Sequence, residues 1–242
     1  MPMIELKSLT KKYKDITAVD ALTLSIEKGE LFGLLGVNGA GKTTTIKMLS
    51  TLTSPTAGDA LIDGKSVIKE PSKVKEMIAI SPQETAVAEN LTVEENLSMM
   101  AGIFSIKGEK AKEKVDDLIA RFSLESVRKK RAKKLSGGYK RRLSIAMALI
   151  SSPKVLFLDE PTLGLDVIAR AEMWDVIRSI KRDLTIILTT HYLEEAEEMC
   201  DRLAVMKNGR LITVGTAESI KKETGEDDFE KAFINLIKEG TK

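Results

Sequence analysis

Residues Leu31–Leu49 read LFGLLGVNGAGKTTTIKML. Leu31 to Leu35 is a short apolar run of the kind a buried parallel strand carries. It breaks into Gly36-Val37-Asn38-Gly39-Ala40-Gly41-Lys42-Thr43, which satisfies G-x-x-x-x-G-K-[ST] at every fixed position. Ile46, Met48 and Leu49 then supply the apolar positions of a helix. Strand, glycine turn and helix together are the context in which such a loop holds phosphate. Glycine lets backbone N–H groups approach a polyphosphate, and the helix N-terminus adds positive potential. Gly36, Asn38, Gly39, Ala40, Gly41, Lys42, Thr43 and Thr44 are the expected cradle. Lys42 reaches the β- and γ-phosphates, and the Thr43 hydroxyl is placed to ligate Mg²⁺. A glycine-rich turn with no ligand is the bland alternative, and the full motif in its context outweighs it. The stretch predicts binding of a nucleoside triphosphate.

Upstream, Ile4 to Leu9 and Val19 to Ile26 alternate apolar and polar residues, which predicts two strands of a half-exposed antiparallel sheet joined through Lys11–Thr17. Tyr13 sits in that connection, either as a half-covered strand-end tyrosine or as an aromatic face for a nucleotide base. Downstream, Ser54–Gly58 is a turn cluster, and Asp59–Ile62 and Met77–Ser81 read as strands separated by the Asp63-Gly64 turn and a Lys-rich helix or loop.

From Thr92 to Leu149 the apolar residues recur at helical spacing, among them Val93, Leu97, Met100, Ala101, Val115, Leu118, Ile119 and Phe122. Thr92 and Glu95 make a T-x-x-E capping box at its start. A helical block between strands predicts an inserted subdomain over about residues 84–150, with Gln83 at its start. Within it, RKKRAKK over Arg128–Lys134 is the one strong charge run, read first as a solvated face. Leu135-Ser136-Gly137-Gly138-Tyr139 then precedes a helix. A hydroxyl, two unhindered glycine N–H groups and a helix dipole make this either an ordinary N-cap or a second anion site.

Val155–Glu160, VLFLDE, is a continuous apolar run ending in two carboxylates, as in a central parallel strand whose C-terminal end faces a ligand. Beside a phosphate-binding loop the acids divide the work: Asp159 for Mg²⁺, Glu160 to polarise the attacking water. Thr162–Asp166 forms the next loop and Val167–Lys181 an amphipathic helix. Thr185–Thr189 is another apolar strand, and His191 stands just past it, where the ligand crevice is expected. Leu203–Met206 and Leu211–Val214 flank the hairpin signal Asn208-Gly209, and Ser219–Glu223 and Phe229–Ile237 read as closing helices.

Composition narrows the class. Among 242 residues, 38 Lys and Arg face 36 Asp and Glu, so a net charge of +2 demands no nucleic-acid partner. Aromatics at 4% offer few stacking platforms for single-stranded nucleic acid. Cys200 and His191 are each the only residue of their type, which excludes a disulfide framework and any multi-Cys or multi-His metal centre. No apolar run approaches the roughly 18 residues of a membrane span, and Met1–Lys14 lacks a signal peptide's apolar core. Work at a membrane would need another chain to cross it.

Taken together, the glycine loop, LSGG at Leu135–Gly138, the strand ending Asp159-Glu160 and His191 after a further strand resemble the ATP-binding-cassette (ABC) ATPases from about Met3 to Gly215. No guanine-reading NKxD motif is present. The resemblance implies an α/β P-loop NTPase fold: a mostly parallel RecA-like sheet core, an N-terminal antiparallel β subdomain and the inserted α-helical subdomain, all in one domain over 1–242. It implies that Tyr13 stacks on adenine, and that Gln83 contacts Mg²⁺ or the attacking water and couples the site to a membrane partner. It makes Leu135–Gly138 the signature, Glu160 the catalytic base, Asp166 the D-loop aspartate and His191 the switch facing the γ-phosphate. Family behaviour further implies a homodimer, formed head to tail on ATP, with each nucleotide between one subunit's glycine loop and its mate's Ser136-Gly137-Gly138. Tyr139 replaces the commonest glutamine of LSGGQ, and Val167 follows Asp166 where proline is common; neither removes a phosphate ligand or the base.

The strings TTHYLEEAEEMCDRL and SGGYKRRLSIAMALI resemble the bacterial and archaeal exporter branch handling drugs, antibiotics, sodium, lipids or polysaccharides. The implied protein is the ATPase subunit of an exporter, on the cytoplasmic face of the cell membrane, driving a separate integral membrane subunit, with no nucleic acid expected. The alternatives are an ABC ATPase acting on nucleic acid or the ribosome, suggested by RKKRAKK and KRR, and a nucleotide-binding regulator that never hydrolyses.

Overall fold

The structure is a computed structural model and describes residues 1–181 and 183–239. In chain order it runs β1 (Ile4–Tyr13), β2 (Ile16–Ile26), β3 (Leu31–Gly36), α1 (Lys42–Leu49), β4 (Ala57–Ile62), β5 (Lys65–Ser66), α2 (Pro71–Met77) and β6 (Ile78–Ser81). Then come α3 (Val93–Ile103), α4 (Gly108–Arg121), α5 (Gly137–Ala148), β7 (Val155–Asp159), α6 (Val167–Lys181) and β8 (Thr185–Thr189). The chain closes with α7 (Leu193–Met199), β9 (Arg202–Lys207), β10 (Arg210–Gly215), α8 (Ala217–Thr224) and α9 (Phe229–Glu239).

Two sheets organise these elements. One has the order β2-β1-β4-β5, all antiparallel; the other has the order β10-β9-β3-β8-β7-β6. In the second, β9, β3, β8, β7 and β6 are parallel, and only the edge strand β10 runs against its neighbour. Parallel strands need both faces covered, and the side chains show it. On β3, Phe32 and Leu34 pack into the cluster under the antiparallel sheet and α1, while Leu31 and Leu35 point the other way. On β7, Val155 and Phe157 join the first cluster, and Leu156 and Leu158 join the cluster built with α3 to α6. With both faces covered the strand has no polar side, so in the sequence a central strand shows as an unbroken apolar run rather than an alternation.

The first hairpin is tighter than the alternation predicts. β1 and β2 continue to Tyr13 and Ile16, which pair directly, leaving only Lys14 and Asp15 in the turn. Register shifts after Leu6, Leu9 and Lys11 break the strict alternation, so the sequence signal stopped before the strands did. The Lys-rich connection resolves into α2, started by Pro71.

Residues 93–148 hold α3, α4 and α5 with two short 3₁₀ turns, between β6 and β7. The predicted capping box is present: Thr92 Oγ1 accepts from the Glu95 N–H at 3.2 Å, and Glu95 Oε2 accepts from the Thr92 N–H at 2.8 Å. Such a cap contributes about 1 kcal/mol. The basic run is mostly the solvated face expected of it, with Lys129, Lys130, Arg131, Lys133 and Lys134 exposed, but its first residues are also paired. Arg128 bridges Glu94 and Asp116, both at 2.6 Å, and Lys129 also meets Glu94. These pairs fasten the run to α3 and α4, each contributing about 0–1 kcal/mol at this exposure.

Candidate nucleotide site

The site lies where the parallel strands end. The loop after β3 turns back on itself: the Ala40 N–H donates to the Val37 carbonyl at 3.0 Å, and the Thr45 N–H donates to Gly41 at 2.9 Å. Gly41 caps α1 with φ 103°, in the left-handed region, and a Cβ there would stand 2.5 Å from the Ala18 carbonyl oxygen. Gly36 is as constrained, since a Cβ would meet the Met206 carbonyl oxygen at 2.4 Å. Glycine at these two positions is a packing requirement. The Asn208-Gly209 turn of the β9–β10 hairpin clamps the loop from outside: the Gly209 N–H donates to Ala40, and the Asp20 N–H to Gly209.

Lys42 folds back over this loop. Its Nζ donates to the carbonyls of Gly36 at 2.6 Å and Val37 at 3.3 Å. Burial pushes its pKa below the ordinary lysine value, against the opposing pull of Glu160 and Asp159. The first turn of α1 holds no acidic residue, so its N-terminal potential is uncancelled.

A cleft of about 570 Å³ opens above the loop, lined by Asn38, Gly39, Ala40, Gly41, Lys42, Thr43, Thr44, Gln83, Asp159 and Glu160, with Ile16, Thr17, Ala18 and Asn208 at its sides. Tyr13 is 45% exposed at the end of β1, beside Lys11 and paired with the cleft-lining Ile16, and is not itself part of the lining.

Asp159 and Glu160 leave β7 differently. Asp159 Oδ1 accepts from the Thr189 hydroxyl on the neighbouring strand β8. Glu160 adopts φ 49°, held by donation of its N–H to the Thr189 carbonyl at 3.0 Å. A left-handed residue directly after a strand swings its side chain out of the sheet. Glu160 Oε2 then stands 2.6 Å from His191 Nδ1. A carboxylate offers only acceptors, so an ionised Glu160 places the proton on Nδ1. Thr43, Gln83 and Asp159 offer hard oxygen donors to one space, and among the described residues no cluster of His, Cys, Asp and Glu could hold a metal by itself. That donor set fits Mg²⁺ shared with phosphate oxygens and water.

Ser136, Gly137 and Gly138 do not join this cleft. Ser136 is the N-cap of α5, and its hydroxyl makes no capping bond. Together with Gly138, Tyr139, Asp166 and Ala169 it borders a separate hollow of about 270 Å³. Asp166 caps the start of α6 by accepting from the Ala169 N–H at 2.9 Å. One chain therefore presents two anion-ready helix starts on different surfaces.

Two functional contacts escaped the sequence reading. Thr189 reads as one more apolar-run residue, yet it orients Asp159. Arg141 reads as part of a basic patch, yet it is only 4% exposed and donates to backbone carbonyls around the cleft. Burial lowers its pKa to about 10, with Asp159 and Glu160 opposing. A signal existed: on α5 it shares a face with Ile145, four residues on, so a charge stands on an apolar stripe.

The profile of the ABC transporter family matches residues 19–163. The chain is 43% identical over 218 residues to the daunorubicin resistance ATP-binding protein DrrA3 of Streptomyces coeruleorubidus, covering 90% of this chain and 69% of that protein. It is 43% identical over 229 residues to the Nod factor export ATP-binding protein I of Burkholderia pseudomallei, covering 94% and 75%. Similarity to the probable multidrug ABC transporter ATP-binding protein YbhF of Escherichia coli, 39% over 241 residues, covers 97% of this chain but only 42% of that one. Among solved structures, an ATP-binding subunit of an ABC transporter superposes with a TM-score of 0.85 at 29% identity, over 97% of this chain and 99% of that chain. A dimeric ATP-binding cassette in a post-hydrolysis state, bound to ADP and Pi, superposes with a TM-score of 0.77 at 26% identity, over 88% and 98%.

Proposed function

Because this chain belongs to the ABC transporter family, carrying its ATPase domain, we propose that it is the ATP-hydrolysing subunit of an exporter, driving a separate transmembrane subunit from the cytoplasmic face of the membrane. Among the described residues no helix is long and apolar enough to span a bilayer; in this reading the pathway for cargo belongs to the second chain. The resemblance to drug-resistance and Nod-factor export subunits supports export. In this reading residues 1–242 act as one domain, with 84–150 as its helical lobe.

The observation that carries the proposal is the separation of Ser136-Gly137-Gly138 from the cleft holding Lys42, Asp159 and Glu160. A lone chain leaves its second helix start without a phosphate. Two copies related by a two-fold axis satisfy both at once, each ATP clasped between one glycine loop and the other copy's serine cap.

The residues then divide the chemistry. Backbone N–H groups of Asn38–Thr44 and the Lys42 ammonium hold the phosphates; Tyr13 covers the base. Thr43, Gln83 and Asp159 would hold Mg²⁺, which supplies charge neutralisation at the transferred phosphoryl. Glu160 takes a proton from the attacking water, steadied by His191, and Asp166 and the partner's signature complete the enclosure. Hydrolysis adds charge in the interface and opens the pair.

The run that suggested nucleic acid has its leading residues, Arg128 and Lys129, committed to Glu94 and Asp116, so the transporter reading is preferred. The test is size measurement by light scattering of Glu160→Gln with Mg²⁺-ATP: a stable dimer is expected, and a persistent monomer sinks the head-to-tail reading. Co-purification of the dimer with an integral membrane protein tests the transport half.

A further inference from the structure

The Arg141 guanidinium reaches three segments at once. Its Nε donates to the Pro161 carbonyl at 3.0 Å, Nη1 to the carbonyls of Pro82 and, at 3.0 Å, Gln83, and Nη2 to the Asp159 carbonyl at 2.7 Å. Pro82 and Gln83 begin the segment leading into the helical block, Asp159 ends β7, and Pro161 opens the loop toward Asp166. All four acceptors are main-chain oxygens adjoining or belonging to residues that face the nucleotide cleft.

Burying a guanidinium is costly unless its donors are matched. Here the planar fork is matched, in a geometry that lysine's single ammonium cannot reproduce. Arg141 also stands one turn along α5 from Gly137, about 6 Å of helix rise. A shift of the α5 N-terminus is therefore transmitted to Gln83 and the Asp159-Glu160 corner without any intervening flexible segment.

We infer that Arg141 is a positioning residue that locks Gln83 against the Asp159-Glu160 end of β7 and ties both to the serine-glycine cap, making the two ATP sites of a dimer interdependent. The inference rests on the head-to-tail reading. In such a dimer the cap of one chain touches the nucleotide of the other site, while the carbonyls held by Arg141 set the chain's own site. Occupancy at one site then biases the geometry of its twin, a coupling carried by a rigid helix and four hydrogen bonds.

The test uses the full chain with Arg141→Lys and Arg141→Gln. Nucleotide binding by the isolated subunit is expected to stay within about twofold of wild type, while kcat drops about 10- to 100-fold. A Hill coefficient for ATP above one is expected of the wild type and should fall toward one in both variants. The KM-against-kcat split separates this from mere weakening of the fold. Wild-type turnover and cooperativity in Arg141→Lys overturns the role of Arg141, as does a wild-type Hill coefficient of one. Loss of nucleotide binding and of a cooperative melt in both variants makes Arg141 a staple of the fold and overturns it too. Failure of Glu160→Gln to dimerise is the separate outcome that strikes the head-to-tail reading itself.

Discussion

His191 Nδ1 and Glu160 Oε2 stand 2.6 Å apart, bridging the C-terminal ends of the neighbouring parallel strands β7 and β8. The two side chains come from positions one and two residues past paired strand ends, where Asp159 lies opposite Thr189. If Glu160 is the base, as proposed, this contact orients it before substrate arrives, so its replacement should affect turnover far more than binding. Glu160→Gln keeps shape and the contact with His191 but removes the proton acceptor. We expect kcat to fall by about 10²- to 10⁴-fold with ATP affinity changed only severalfold. His191→Ala should cost less, and the double variant should be no slower than Glu160→Gln by more than a small factor, because both act through one group. Phosphate-release assays on the three variants check this; strictly multiplicative losses would show that the contact is incidental.

How much of this arrangement the residues announce depends on whether the chemistry is local. Gly36–Thr43 declares itself because the turn and the lysine that folds back over it need glycine and lysine at fixed local spacing, whatever packs against the loop from outside. Asp159-Glu160 declares itself because acids at the end of an apolar run have no packing reason to be there. Thr189 and Arg141 stay hidden because their partners, Asp159 and the carbonyls near Gln83, are 30 and roughly 60 residues away and become neighbours only through sheet order β8-β7-β6. The early end assigned to β1 has the same origin: its bulges answer to β2 and β4, not to its own pattern.

Gly41 offers a stability test of the loop. Its φ of 103° and the Ala18 carbonyl oxygen 2.5 Å from a would-be Cβ leave alanine nowhere to go without moving α1 or β2. Gly41→Ala should cost about 1–3 kcal/mol by denaturant unfolding and remove nucleotide binding. An unchanged midpoint with binding retained would mean that the turn is held more loosely than its hydrogen bonds to the β9–β10 hairpin imply.

Lys42 gives the site an alkaline limb. Burial lowers its pKa in the free protein, so between that lowered value and the ordinary lysine value of about 10.4 the unfolded chain binds more protons than the folded one. The charged lysine therefore burdens the empty protein at neutral pH, and the burden lifts as pH rises through the lowered value. A bound polyphosphate reverses the preference by favouring the ammonium. ATP binding should then take up a proton in that window, with affinity falling as pH approaches the ordinary lysine value. Calorimetry in two buffers of different ionisation enthalpy reads the uptake; none at any alkaline pH would separate Lys42 from the phosphates.

Mixed dimers test the division of each ATP site between two chains. Gly137 is the position to use. A Cβ there meets only Leu165 Cδ2, at 4.0 Å, and an acid in the first turn of α5 suits the helix dipole. Gly137→Asp should therefore fold normally while placing a negative charge where, in the proposed head-to-tail dimer, the partner's phosphate would sit. Lys42→Ala disables the opposite half of the site. In a Glu160→Gln background, either variant alone should trap almost no nucleotide. Mixed, the Lys42 of one chain meets the intact cap of the other at a single site, so the mixture should trap about one ATP per dimer where Glu160→Gln alone traps about two. Filter-binding with labelled ATP counts them. If Gly137→Asp traps nucleotide as well as its parent does, the cap at Ser136-Gly137-Gly138 is an ordinary helix start, and the second half of the site must be sought elsewhere on the chain.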